Sequence, residues 1–136
     1  NSYINWVIES KKGNPLTLSV IYMLIAERLE IPIYGINLPE HFVVGYSFTS
    51  YDDPNAFDYK DMLFYINPFS RGTIFNKDEI DNFLKQLSIE KKKGYYIPCS
   101  NKDIVIRMLN NLIISYKKLG HGEKQDELSL LLNTIR

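Results

Sequence analysis

The most constraining feature of this sequence is a helical segment that is apolar on nearly every side. Asn14-Pro15 predicts its beginning, because asparagine is a favoured N-cap and proline suits the first helical position. From Leu16 to Leu29 the segment shows no polar face before Glu27 and Arg28. A helix of that kind is expected to be buried on most sides, so we predict that it forms the hub of the fold.

After this helix the pattern changes to short strands and then to further helices. We predict strands over Ile33 to Leu38, His41 to Phe48 and Met62 to Ile66. We predict helices over Asn76 to Leu87, Ser100 to Leu119 and Glu123 to Ile135, and helical spacing also at Tyr3, Ile4, Val7 and Ile8. The expected core residues are Val20, Met23, Leu24, Phe42, Val44, Leu63 and Tyr65. No regular strand–helix alternation indicates a parallel sheet, so the predicted class is α+β.

Composition narrows the classes of partner and compartment. Basic and acidic residues number 16 each among 136, a balance that argues against a nucleic-acid partner. We interpret the basic run Lys91–Lys93 as a solvated loop or helix end in preference to a binding patch. Cys99 is the single cysteine, so the chain cannot form an intrachain disulfide. No segment resembles a signal peptide or a membrane span. From these two observations we expect a cytoplasmic location. Because the chain starts at Asn1 without methionine, we expect it to be a piece of a longer protein.

Two residues stand out as a candidate site. His41 opens the predicted strand HFVVGY after a Pro-Glu turn, and Asn67 ends the predicted strand FYINPF. If these two strands pair antiparallel, the start of one lies near the end of the other. Asn67 would then orient the His41 imidazole, as the third member of a Cys-His-Asn triad does. The alternative is that Asn67 only initiates the Asn-Pro turn, and the sequence leaves both open.

The ordered motifs KGNPLTLSVIYMLIAERLEIPIYGINLPEHFVVGY, YINPFSRG and RMLNNLIISY resemble the SirB-type bacterial proteins of the transglutaminase-like superfamily. The resemblance runs from about Asn1 to Tyr116 and implies a transglutaminase- or papain-like core, a buried central helix on a short antiparallel sheet. It also implies a tetratricopeptide-like helical hairpin after that core. We therefore expect a core over residues 1–98 and a helical appendage over 99–136.

The resemblance places the superfamily's catalytic His on His41 and its Asp on Asn67, where many SirB-type members carry Asp. Counting back from Glu30-Ile31-Pro32 without gaps places the catalytic Cys on Pro15, which has no nucleophile. Cys99 lies far along the chain and needs no catalytic role.

Two function classes follow from this substitution. The favoured hypothesis is a non-catalytic binding or scaffold domain with a protein or peptide partner, and the helical hairpin would offer it a second surface. The alternative is an amide or ester hydrolase or acyltransferase in which the hydroxyl of Thr17 or Ser19 attacks, served by His41 and Asn67. Thr17 would otherwise be a capping residue and Ser19 a small packing residue.

A metal site is the weakest alternative that the sequence offers. Glu40, His41 and the pair Asp52-Asp53 could in principle be gathered, but no His-x-x-x-His or Cys-x-x-Cys spacing exists. We therefore expect neither a metal nor another cofactor. The sequence does not indicate an oligomeric state.

Overall fold

The computed structural model describes residues 14–49, 53 and 56–136, and the helical spacing predicted at Tyr3 to Ile8 lies outside them. The helices are α1 (Pro15–Arg28), α2 (Lys77–Gln86), α3 (Asn101–Leu119) and α4 (Gly122–Ile135). The strands are β1 (Ile33–Ile36), β2 (Val43–Tyr46), β3 (Phe64–Asn67) and β4 (Thr73–Phe75). The predicted α+β class is confirmed. The chain divides into two compact units at Cys99–Ser100.

The predicted limits of α1 are confirmed by its capping bonds. The Asn14 side chain accepts a hydrogen bond of 2.8 Å from the backbone N–H of Thr17, and Pro15 occupies the first turn. At the other end Glu30 takes the left-handed conformation with φ 57°, and the N–H of Ile31 returns to the carbonyl of Ala26 at 2.8 Å. This reversal satisfies carbonyls that the helix leaves open and turns the chain into β1.

The strands form one antiparallel sheet in the order β1-β2-β3-β4, one strand more than we predicted. The added strand, β4, follows a turn in which Arg71 has φ 57° and Gly72 has φ 72°. That turn reverses the chain so that Phe75 pairs with Tyr65 of β3, and the two rings stack with centroids 5.5 Å apart. The residues Thr-Ile-Phe of β4 have strong strand propensity, but a strand of three residues is too short to be recognised from the alternation of apolar and polar residues.

The sheet is covered on both faces. Val43 and Val44 are both buried, and because side chains alternate along a strand they point to opposite faces. Val43 belongs to a cluster with Ile80 and Leu84 of α2, so α2 covers one face. Helix α1 packs against β1, β2 and the 3₁₀ turn Pro68–Ser70 and covers the other.

The prediction that α1 is buried on most sides is wrong. Its buried residues are only Leu16, Thr17, Ser19 and Ala26, and Thr17 belongs to the helix cap. Leu24 is 47% exposed and Ile25 is 55% exposed. The reason is geometric, since a helix that lies on one face of a sheet buries only the stripe that faces the sheet. Of the predicted core, Phe42, Val44 and Tyr65 are buried, Val20 and Met23 are half-buried, and Leu24 and Leu63 are exposed.

The second unit, residues 100–136, is a pair of packed helices. Ser100 and Asp103 form a reciprocal capping box at the start of α3, each side chain accepting from the other's backbone N–H at 3.1 Å. Gly120 ends α3 with φ 76°, a conformation that glycine adopts without strain. In the described part of the chain, no helix combines the length and apolarity that crossing a membrane requires.

Candidate functional site

A cavity of about 370 Å³ lies between the sheet and α2. It is lined by Leu38, His41, Val43, Asn67, Ser70, Thr73, Phe75, Glu79, Ile80 and Phe83. Its apolar wall comes from the sheet and α2, and its polar groups come from the two strand ends and the first turn of α2. The volume is in the range of cavities that hold small ligands or single side chains of a partner.

His41 is held at this cavity by the turn before it. Glu40 has φ 63°, and the N–H of His41 donates to the carbonyl of Pro39 at 2.7 Å. The imidazole meets the ring of Phe83 edge-on with centroids 5.9 Å apart. Its Nδ1 is buried and has no hydrogen-bond partner among the described residues. A buried polar atom without a partner is uncommon in folded proteins and costs free energy, so it marks a place where a ligand atom could bind.

Asn67 lines the same cavity, as expected from the antiparallel pairing of β2 and β3. Its side chain is engaged in the turn that follows β3. The Oδ1 accepts from the N–H of Phe69 at 3.1 Å, and the Nδ2 donates to the hydroxyl of Ser70 at 3.3 Å. These bonds are those of a turn-initiating asparagine, the second of the two alternatives that the sequence left open.

Thr17 and Ser19 belong to α1, which covers the opposite face of the sheet. The Thr17 hydroxyl donates to Asn14 Oδ1 at 2.9 Å, so it is part of the helix cap. The Ser19 hydroxyl is fully buried and donates to the carbonyl of Phe42 at 3.1 Å. Among the described residues that line the cavity with His41, neither hydroxyl is present.

Pro15 and Cys99 complete the set of residues that the sequence singled out. Pro15 is the first residue of α1. Cys99, the single cysteine of the chain, is half-buried in the segment that leads to Ser100, and its N–H donates to the carbonyl of Gly35 at 2.9 Å. That bond attaches the segment to β1, away from the residues that line the cavity.

The described residues contain no group of three or more His, Cys, Asp or Glu side chains that could hold a metal ion. Of the residues considered for such a site, Asp52 lies outside the described ranges. The acidic side chain at the cavity is Glu79, from the first turn of α2. A carboxylate there disfavours an anionic ligand and is compatible with a neutral or cationic one.

Several residues of the cavity were not predicted from the sequence, namely Ser70, Thr73, Phe75, Glu79 and Phe83. Two of them lie on β4, which the strand pattern did not reveal. Glu79 and Phe83 are four residues apart on α2, a spacing that places both side chains on one face of a helix. That spacing was the available signal, but which face meets the sheet is decided by packing.

The comparisons with known proteins agree with this architecture. Residues 1–110 match a family described as the transglutaminase-like superfamily. A UPF0162 protein of Xylella fastidiosa strain Temecula1 is 30% identical over 91% of this chain and 42% of its own length. The F-box only protein 21 of Homo sapiens is 27% identical over 97% of this chain and 21% of its own length. The chain thus spans about two fifths or less of these relatives. No solved structure matches it.

Proposed function

The chain belongs to the transglutaminase-like superfamily, and we propose that it is a non-catalytic binding domain whose ligand site is the cavity at His41. In this proposal it is part of a SirB-type protein, with a core over residues 1–98 and a tetratricopeptide-like hairpin over 99–136 as an appendage. The expected partner is a peptide or protein segment that contributes an apolar group to the cavity.

The missing nucleophile is the first support. Acyl chemistry of this superfamily depends on a cysteine, whose thiol is usefully ionised near neutral pH, whereas Ser and Thr hydroxyls are not. The position to which the resemblance assigns that cysteine is Pro15, and the one thiol of the chain, Cys99, is not among the residues lining the cavity. A described lining with an imidazole and no thiol lacks the attacking group on which the superfamily's acyl transfer depends.

The hydrogen bonds of the two hydroxyl residues are the second support. A hydroxyl that acts as nucleophile must give its proton to a base within about 3 Å. The Thr17 proton is directed to Asn14 and the Ser19 proton to the carbonyl of Phe42. Both bonds have local structural roles, so neither the Thr17 nor the Ser19 hydroxyl is directed towards His41.

The observation that carries the proposal is that His41 lines a largely apolar cavity and that its buried Nδ1 has no hydrogen-bond partner among the described residues. A ligand that fills the cavity with an apolar group and pairs with this nitrogen would remove the cost of leaving it unsatisfied. A peptide offers both features, because an apolar side chain is followed by a backbone amide within one residue's reach.

The absence of catalysis is tested by amine incorporation and peptide hydrolysis on the wild type and on Cys99→Ser, His41→Ala and Thr17→Val. We expect no turnover by any of the four proteins. Turnover that Cys99→Ser abolishes would overturn the proposal and the structural role of that cysteine. Turnover that both His41→Ala and Thr17→Val abolish, but Cys99→Ser spares, would establish the hydroxyl hydrolase or acyltransferase instead.

The binding itself is tested by NMR with a capped amino acid as the probe, N-acetyl-phenylalanine methylamide. We expect the probe to shift the imidazole resonances of His41 and the amide resonances around Phe83, and we expect His41→Ala to remove these shifts. The matched control is His121→Ala, which changes the exposed histidine of the second unit and leaves the cavity intact. Probe-induced shifts that survive His41→Ala, or no shifts at all, would exclude the cavity as the ligand site.

A further inference from the structure

A second cavity, of about 350 Å³, lies beside the start of α2 and is independent of the one at His41. It is lined by Asp58, Tyr59, Lys77, Lys91, Lys92, Lys93 and Tyr96, and we call it the lysine pocket. We propose that the lysine pocket binds a small phosphate-bearing anion. The charge of the lining, its anchoring to the core and the kind of cation it uses support this assignment.

The lining is strongly positive although the chain as a whole is neutral. It presents four lysines and one carboxylate, Asp58, whereas basic and acidic residues of the whole chain are equal in number. Lysine side chains gathered at one cavity bring like charges together, and a bound anion would relieve their repulsion. Folding brings Lys77 to the same pocket as the run Lys91–Lys93. From the sequence alone we interpreted that run as a solvated loop or helix end.

The pocket is fixed to the core on two sides. Lys77 Nζ lies 4.1 Å from the ring centroid of Tyr59, a cation–π contact that restrains the ammonium group. On the other side the hydroxyl of Tyr65 donates to the carbonyl of Tyr96 at 2.7 Å, within the buried core. A site that is held in place before its ligand arrives loses less conformational entropy on binding.

Asp81 forms an ion pair with one lysine of the pocket. It accepts a hydrogen bond from the hydroxyl of Tyr96 and lies 3.4 Å from Lys91 Nζ. The hydrogen bond from Tyr96 and the nearby ammonium groups of Lys91 and Lys77 hold the pKa of the Asp81 carboxyl below its ordinary value. Asp81 is therefore ionised near neutral pH. Even with this second carboxylate counted, the four lysines leave an excess of positive charge.

The amount of positive charge favours phosphate over carboxylate. A phosphate group carries about −1.5 to −2 charge at pH 7, whereas a carboxylate carries a single negative charge. Lysine is a common phosphate-binding side chain that acts as a compact point charge, and the described lining contains four lysines. The four lysines form a local cluster, which suits a small molecule better than a nucleic acid, because a nucleic acid needs an extended basic stripe.

The test is an NMR titration of the chain at low salt with inorganic pyrophosphate, inorganic phosphate and a triglutamate peptide as probes. We expect pyrophosphate to bind most tightly and to shift the amides of Lys91–Lys93 and Lys77. The double variant Lys92→Gln/Lys93→Gln should bind pyrophosphate about tenfold or more weakly, since hydrogen bonds to charged groups are among the strong ones. The matched control is Lys117→Gln/Lys118→Gln, which removes the same charge from the exposed end of α3.

Three results would overturn the inference. The first is the absence of pyrophosphate-dependent shifts in the pocket. The second is an equal loss of affinity in both double variants, which would mean that only net charge matters. The third is tighter binding of the triglutamate peptide than of pyrophosphate, which would assign the pocket to acidic peptides. Lys77→Gln gives an independent check, because it removes a pocket cation from a different element.

Discussion

The hydroxyl of Ser19 donates a hydrogen bond of 3.1 Å to the main-chain carbonyl of Phe42, and the Ser19 side chain is completely buried. This bond joins α1 to the residue that directly follows His41. The start of β2 is thereby held against α1 on one face of the sheet, while the His41 ring contacts Phe83 of α2 on the other. A residue considered as a nucleophile thus has a clear structural role in positioning the segment that leads from His41 into β2.

We expect Ser19→Ala to lower the free energy of unfolding by about 1–3 kcal/mol, because it removes a buried hydrogen bond between α1 and the main chain of Phe42. The measurement is urea denaturation followed by circular dichroism. Ser115→Ala, at an exposed position of α3, is the control and should change stability by less than about 0.5 kcal/mol. An unchanged midpoint for Ser19→Ala would mean that water or another group satisfies the carbonyl.

Two leucine truncations should differ sharply. Leu84 is fully buried in the cluster between α2 and the sheet, whereas Leu24 is 47% exposed on α1. We expect Leu84→Ala to cost about 2–5 kcal/mol, as buried leucines do, and Leu24→Ala to cost clearly less. Thermal unfolding of both variants makes the comparison, in which the side-chain change is identical. A larger loss for Leu24→Ala would show that the outer face of α1 is covered in solution.

The stability contributed by Asp81 should depend on pH. A carboxyl whose pKa is lowered in the folded state stabilises that state above its unfolded pKa, about 3.9, and ceases to do so as the pH falls through the folded value. We therefore expect Asp81→Asn to lower the denaturation midpoint at pH 7 and to lower it less at pH 3. Asp126→Asn changes an exposed carboxylate of α4, and its difference in midpoint from the wild type should not become smaller at pH 3. A constant difference between wild type and Asp81→Asn at both pH values would contradict the assigned role.

Gly120 and Gly94 provide a matched pair of backbone tests. Gly120 has φ 76° at the end of α3, and Gly94 has open space where a methyl group would be added. We expect Gly120→Ala to destabilise the helical hairpin by about 1–2 kcal/mol, because a Cβ is strained in the left-handed region. Gly94→Ala should be neutral or slightly stabilising. Helical circular dichroism during thermal unfolding measures both, and equal effects would contradict the assigned cap.

The local signals of this sequence were reliable where capping chemistry is involved. Asn14, Asn76 and Ser100 were each predicted to begin a helix, and each side chain accepts a hydrogen bond from a backbone N–H three residues on. Such bonds depend on neighbouring residues only, so they can be inferred without knowledge of the fold. The α+β class followed instead from the absence of regular strand–helix alternation, although β4 was not predicted.

The candidate site was predictable in part. The antiparallel arrangement that brings His41 and Asn67 to one cavity was inferred from strand order alone. The sequence could not show whether the Asn67 side chain faces the imidazole or caps its own turn, because both arrangements are compatible with an asparagine at the end of β3. Its bonds to Phe69 and Ser70 depend on the turn geometry after β3. The catalytic roles of His41, Asn67 and Thr17 remain predictions, which the amine-incorporation and peptide-hydrolysis assays test.

The sequence by itself determined where the helices begin and end, since caps and prolines act over three or four residues. Only the tertiary structure decided which apolar residues are buried, because α1 is apolar all round and its sequence does not specify which stripe meets the sheet. Leu24 is therefore exposed and Ser19 buried, against their chemical character. The lysine pocket has the same origin, since Lys77 and Lys91–Lys93 belong to separate segments that only packing brings together.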